Sequence, residues 1–165
     1  MKSFTLIELV IVVTVLAILA FSSHIALNSY RVHHLRAAAE RIAGDLRYAK
    51  NMAISSTTWT GAVFLVAPTN SYSLYQTDGS VDTLIKNPQD IGQDYVVNLA
   101  GTYQDVVISG VDIGNGNKVE FDPYGAPYID KNGTALNMNG IITLSNGSAT
   151  AVICIEPTTG KISIQ

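Results

Sequence analysis

Cysteine occurs once in the 165 residues, as Cys154, so no intrachain disulfide and no cysteine-built zinc site can form. Histidine is confined to His24, His33 and His34, and none follows Ser55. That removes Ser-His-Asp and Cys-His chemistry and His-ligated metals from most of the chain. Glycine is missing before Gly44 and proline before Pro68, so nothing over the first forty or so residues obliges a helix to stop. Charge is scarce, at 14%, and divided. Up to Ser55 there are six Lys/Arg against three Asp/Glu; beyond it stand four Lys, no Arg, and ten Asp/Glu, leaving −6 there and −3 for the whole. An acidic domain is a poor partner for phosphate backbones. The length suits one folded domain with an appendage.

Hydrophobic residues, at 47%, are concentrated at one end. Residues 4 to 21 are apolar except for Thr5, Glu8 and Thr14. As a helix they would extend roughly 27 Å, close to the hydrocarbon thickness of a bilayer. A cleavable secretory signal is the rival reading, with Ala20-Phe21-Ser22 as small residues at a cut. Three features weigh against it: only Lys2 is positive ahead of the run, Glu8 sits where basic residues belong, and the helical pattern continues past the run.

That continuation is amphipathic. Leu35, Ala39, Ile42, Leu46, Ala49 and Ala53 recur at spacings of three and four, while Arg36, Glu40, Arg47 and Lys50 fall on other faces, which predicts a helix packed along one stripe. One helix from Phe4 to Ser55 follows. Beyond it, short apolar or alternating runs are separated by turn residues: 62–66, 72–76, 95–99, 106–109, 118–121, 141–145, 149–155 and 161–164. Asn146-Gly147 between two such runs is the clearest hairpin signal. Residues 77–94 and 110–117 are polar and rich in Gly, Asp and Asn, and read as loops. The expected fold class is α+β, a long N-terminal helix on an antiparallel β-sheet domain. Its divisions are a leader (1–3), a membrane-spanning half (4–30), an amphipathic half (31–55) and a β-rich domain (56–165).

Glu8 carries the most information. An ionised carboxylate at the centre of a bilayer costs about 3 kcal/mol, so it calls for a partner or a task unless it lies at the interface. The nearest cations on its own helix, Lys2 and Arg31, are out of reach, and a partner is expected from another chain. A free amino group at Phe4, made by a cut after Ser3, would be a small enough cation.

The run Phe4-Thr-Leu-Ile-Glu-Leu9 ahead of an unbroken apolar stretch resembles the signal of type IV pilins and type II secretion pseudopilins. Ser3 stands where that family usually carries Gly. The resemblance implies cleavage between Ser3 and Phe4 by a prepilin peptidase, N-methylation of Phe4, and pairing of Glu8 with that amine on a neighbouring subunit. Segments 41–54, Phe121-Asp-Pro-Tyr-Gly125 and Thr159-Gly-Lys-Ile162 are similar to those of H-type minor pseudopilins and FimT-like minor pilins. They imply a pilin-like fold and a structural, non-enzymatic subunit of an inner-membrane filament, single-pass, its domain in the periplasm or on the cell surface. The implied partners are other pilin or pseudopilin subunits, the peptidase/methylase, the assembly platform and the membrane.

The alternative is a DNA-binding minor pilin. In that group a basic motif follows the turn glycine, where this chain has Gly160-Lys161-Ile162-Ser163, so DNA is not an expected partner. No catalytic residue, cofactor or metal site is expected. Asp112 with Asn115 and Asn117, and Asp130 with Asn132, lack the spacing of a calcium loop and read as turns. Asn132-Gly-Thr134 and Asn146-Gly-Ser148 fit the glycosylation sequon but are also turns. His33 and His34, with Arg31 and Arg36, read as a cationic collar at the membrane surface, and Cys154 as a buried small hydrophobe.

Overall fold

Leu6–Ser56 form one unbroken helix, α1, 51 residues and so about 76 Å long. The computed structural model describes residues 5–165, and the side chains of these except 21–29. Thr5 to Ala20 are exposed along their whole length, and Leu35 is the first buried side chain among the described residues of α1. Among the described residues no helix is long and apolar enough to cross a membrane. The described side chains of the apolar run end at Ala20, short of the roughly 20 residues a span requires. α1 ends without glycine or proline. Thr57 takes a left-handed conformation (φ 54), and the Ser56 hydroxyl donates back to the Met52 carbonyl at 2.6 Å, ending the ladder in a polar run.

The rest is β structure. In chain order it comprises β1 (Trp59–Leu65), β2 (Ser71–Thr77), β3 (Asp82–Leu84), β4 (Lys86–Asn87), β5 (Asp90–Asp94), β6 (Val96–Asn98), a single turn α2 (Leu99–Thr102), β7 (Val107–Asp112), β8 (Lys118–Phe121), β9 (Pro127–Tyr128), β10 (Gly140–Ser145), β11 (Thr150–Ile155) and β12 (Ile162–Ile164). One sheet runs β3-β2-β1-β8-β9, with β6 on the other half of β2. A second runs β12-β11-β10-β7, and β4 and β5 make a small ribbon. All pairings are antiparallel.

The stripe read from the spacing is the seam between α1 and the sheets. Leu35, Ala39, Ile42, Leu46, Ala49 and Ala53 are all buried, joined by Ala38 and Ala43. So many alanines let the sheets approach the helix closely, and the volume is filled from the other side by Phe64, Tyr72, Leu74, Phe121, Ile142, Leu144 and Ile153. Gly61 serves the same closeness within a sheet: a Cβ there would lie 2.7 Å from the Val119 carbonyl oxygen.

Two expectations change. Residues 77–94, read as a loop, contain β3, β4 and β5, held because Ile85 and Tyr95 are buried anchors whose backbones bond to Leu74. Strands this short lack enough residues to show alternation. Residues 110–117 likewise continue β7 to Asp112, and Ile113 bridges Gly116. The expected strand 95–99 is cut to Val96–Asn98, because Asn98 caps α2 through a bond from the Ala100 N–H.

Candidate assembly surface

The helix begins with a reciprocal cap. The Glu8 N–H donates to the Thr5 hydroxyl at 3.3 Å, and the Thr5 N–H donates to the Glu8 carboxylate at 3.5 Å. Glu8 therefore has a hydrogen-bond partner in its own chain, Thr5, in addition to the cation expected from another chain. That expectation counted only cations, whereas Thr-x-x-Glu at a helix start is a capping box that satisfies otherwise unpaired N–H groups. The bonds are long and exposed, and the carboxylate keeps further acceptor capacity. Leu6, Ile7, Leu9 and Val10 around it are exposed apolar side chains. Ser3 and Phe4 lie outside the described residues.

Two devices fix the domain on the amphipathic half. The first is a buried polar cluster that sequence reasoning missed. The Asp45 carboxylate accepts from Tyr72 at 2.5 Å, Tyr95 at 2.9 Å and the Arg41 guanidinium at 3.0 Å. Burial, and then the Asp45 carboxylate, push the phenols of Tyr72 and Tyr95 above the usual tyrosine range. The bond to Asp45 outweighs partial burial and holds Arg41 charged. Asp45 lies four residues after Arg41, a spacing of neighbours on a helix, but nothing in sequence linked either to Tyr72 or Tyr95.

The second device joins the three segments that carried the weaker resemblance. Lys50 donates to the carbonyls of Thr159 (2.7 Å) and Gly160 (3.3 Å), and Arg47 donates to that of Ile162 (2.9 Å). Gly125 sits where a Cβ would meet Lys50 and Ile54, and Gly160 where one would lie 2.5 Å from the Gly125 oxygen. Both glycines have positive φ, so backbone shape and close approach agree in requiring them. Arg47, Lys50 and Lys161 line one shallow cleft. Its cations are engaged, since Lys161 pairs with Glu156 while the other two serve carbonyls.

A sequence profile of the family described as type II transport protein GspH matches residues 38–159. The chain belongs to the GspH family. The match takes in the helix stripe from Ala38 on, the first sheet, the second sheet except β12, and the Gly125 turn. Two solved structures share the GspH-family fold seen here. The type IV minor pilin FimU of Pseudomonas aeruginosa has 14% identity over 81% of this chain and 89% of that one, with a TM-score of 0.54. The minor pseudopilin EpsH from the type 2 secretion system of Vibrio cholerae has 11% identity over 80% and 96%, with a TM-score of 0.59. No curated protein sequence matches it.

The remaining candidates fall into structural roles in this GspH-family domain. Asp112 accepts from the Asn115 N–H, and Asp130 from the Asn132 N–H and Lys118, as turn residues do. Hydrogen bonds from Lys118 and the Asn132 N–H lower Asp130, with Lys118 the larger cause. Burial pulls Lys118 down, but Asp130 and Glu120 outweigh it and raise the ammonium. Asn146 is buried and its amide donates to the Arg31 carbonyl at 2.9 Å, tying the β10–β11 hairpin to the helix. His34 packs its ring on Tyr30 at 4.1 Å and against the edge of Tyr103. Cys154 is buried.

Proposed function

We propose that this protein is a minor subunit of a type II secretion pseudopilus or type IV pilus, built into the filament through α1. The supporting observation is the contrast along one continuous helix: Leu35 to Ala53 bury a stripe under the protein's own sheets, while Thr5 to Ala20 present apolar side chains with no covering domain. A surface of that size in a GspH-family chain needs lipid or other subunits to cover it. In this reading residues 4–30 anchor the protein in the inner membrane before assembly, and a prepilin peptidase cuts between Ser3 and Phe4. Phe4 is then N-methylated. Glu8, held near the helix start by its cap with Thr5, offers its remaining acceptor positions to the Phe4 amine of a neighbouring subunit.

Glu8→Ala tests this. The change raises the hydrophobicity of the segment, so membrane insertion is retained, while recovery with filaments falls at least about tenfold, the equivalent of losing one charge-assisted contact. Wild-type recovery of Glu8→Ala with filaments contradicts the role given to Glu8. The DNA-binding alternative gains little from the cleft of Arg47, Lys50 and Lys161, since Arg47 and Lys50 serve backbone carbonyls and Lys161 faces Glu156.

A further inference from the structure

Asn-x-Ser/Thr occurs twice in the chain, at Asn132-Gly-Thr134 and Asn146-Gly-Ser148, and the fold places the two in opposite settings. Asn146 is 7% exposed. Its amide donates to the Arg31 carbonyl at 2.9 Å, and its side-chain oxygen accepts from the N–H groups of Ser148 and Ala149. A substituent on that amide would enter the seam between the β10–β11 hairpin and α1. Asn132 stands on an open turn instead. The Gly133 N–H closes the turn on the Asp130 carbonyl at 2.9 Å, and Asn132 to Ala135 are all exposed. The Asn132 amide donates to the Gly79 carbonyl of a neighbouring surface turn, and an Asn amide has two N–H groups to offer.

An amide nitrogen is a weak nucleophile, because its lone pair is shared with the carbonyl. Sugar transfer to it therefore needs an enzyme that grips the residues on either side. A hydroxyl two residues after the acceptor is the general requirement. Bacterial oligosaccharyltransferases also hold an acid two residues before it, a charge-assisted contact that fixes the register of the acceptor. Asp130 and Thr134 stand at those two places around Asn132, whereas Leu144 takes the acid's place ahead of Asn146. The Asp130 side chain is 40% exposed, and its carboxylate accepts from the Asn132 N–H at 2.9 Å and from Lys118 at 2.6 Å. Acid and acceptor thus share one turn. Lys131, between them, lies over the Trp59 ring at 5.9 Å, so the turn sits just past the C-terminal end of α1 and clear of Leu6 to Ala20.

We propose that Asn132 is an acceptor for an N-linked oligosaccharide and that Asn146 is not. The donor is a lipid-pyrophosphate-linked oligosaccharide and the catalyst a bacterial oligosaccharyltransferase. Nδ2 of Asn132 forms a bond to the anomeric carbon of the donor sugar, and the bond from that carbon to the pyrophosphate oxygen breaks. The lipid pyrophosphate leaves with the electron pair, one Nδ2 proton passes to a base of the enzyme, and nothing is oxidised or reduced. The product amide keeps one N–H, enough to remake the bond to Gly79. The inference goes beyond the filament reading and does not depend on it.

The test uses the full chain, folded in detergent micelles, with a purified bacterial oligosaccharyltransferase and a lipid-pyrophosphate-linked oligosaccharide, read by intact mass and peptide mapping. The expected result is one glycan per chain, on Asn132. Asn132→Gln and Thr134→Ala abolish transfer, and Thr134→Ser retains it. Asp130→Ala lowers the rate at least tenfold and Asp130→Glu restores it, which separates recognition of the acid from loss of the turn it caps. Unchanged melting temperatures for Asn132→Gln and Thr134→Ala show that the fold is intact. No transfer to the folded chain, transfer only after denaturation, transfer to Asn146, or an Asp130→Ala variant modified as fast as the wild type overturns the proposal.

Discussion

Asp45 shows how a single carboxylate can outweigh several surface pairs. It is buried and accepts from three side chains in three places, α1, β2 and the junction of β5 and β6. Removing it strands Tyr72, Tyr95 and Arg41 together, so Asp45→Ala should cost about 3 to 5 kcal/mol. Arg36→Ala, at an exposed pair, should cost less than about 1 kcal/mol. Urea denaturation of a fragment beginning near Arg31 measures both, and equal values would show that Asp45 is not a keystone. The tyrosines also set an alkaline limit. Tyr72, Tyr75 and Tyr95 all have raised phenols, chiefly through burial and then through Asp45 or Glu120. A group raised in the folded state contributes stability that is complete below its unfolded value, near 10, and is lost as pH rises beyond it. Each such phenol then costs about 1.4 kcal/mol per pH unit. Absorbance at 295 nm should show these three ionising together with loss of circular dichroism above pH 10. Reversible ionisation of all eight tyrosines with the fold intact would contradict it.

Elements differ in how openly the sequence announces them. The helix stripe was legible because six residues repeat at three and four, and β10–β11 because Asn146-Gly147 separates two apolar runs. The strands within 77–94 were not, since their anchors, Ile85 and the flanking Tyr95, are buried by tertiary contacts that no local pattern records. The cap at Thr5 and Glu8 was present as a spacing but hidden by attention to charge alone. The division of α1 gives a prediction at this scale. A fragment beginning near Arg31 keeps the stripe and should be soluble and melt cooperatively, while one beginning after Ser55 exposes the faces of both sheets and should aggregate. Scattering and calorimetry distinguish them. A monomeric, cooperative shorter fragment would mean that the stripe is not needed to cover the sheets.

At the scale of the whole molecule, the two ends of α1 differ in what covers them. Its C-terminal half is the spine of a GspH-family domain that is acidic beyond Ser55, and Leu6 to Ala20 at its other end are exposed and apolar apart from Thr14 and one capped carboxylate, Glu8. The proposed function, a chain anchored first and assembled later, gives both ends a role. Intact mass of the protein recovered with sheared or purified filaments, from cells with and without the prepilin peptidase, tests this most directly. The account predicts filament-borne protein lacking Met1 to Ser3 and carrying one added methyl group, and in peptidase-deficient cells the unprocessed chain in the membrane and none in filaments. Full-length protein in filaments, or a mass matching a cut after Ser22, would contradict it.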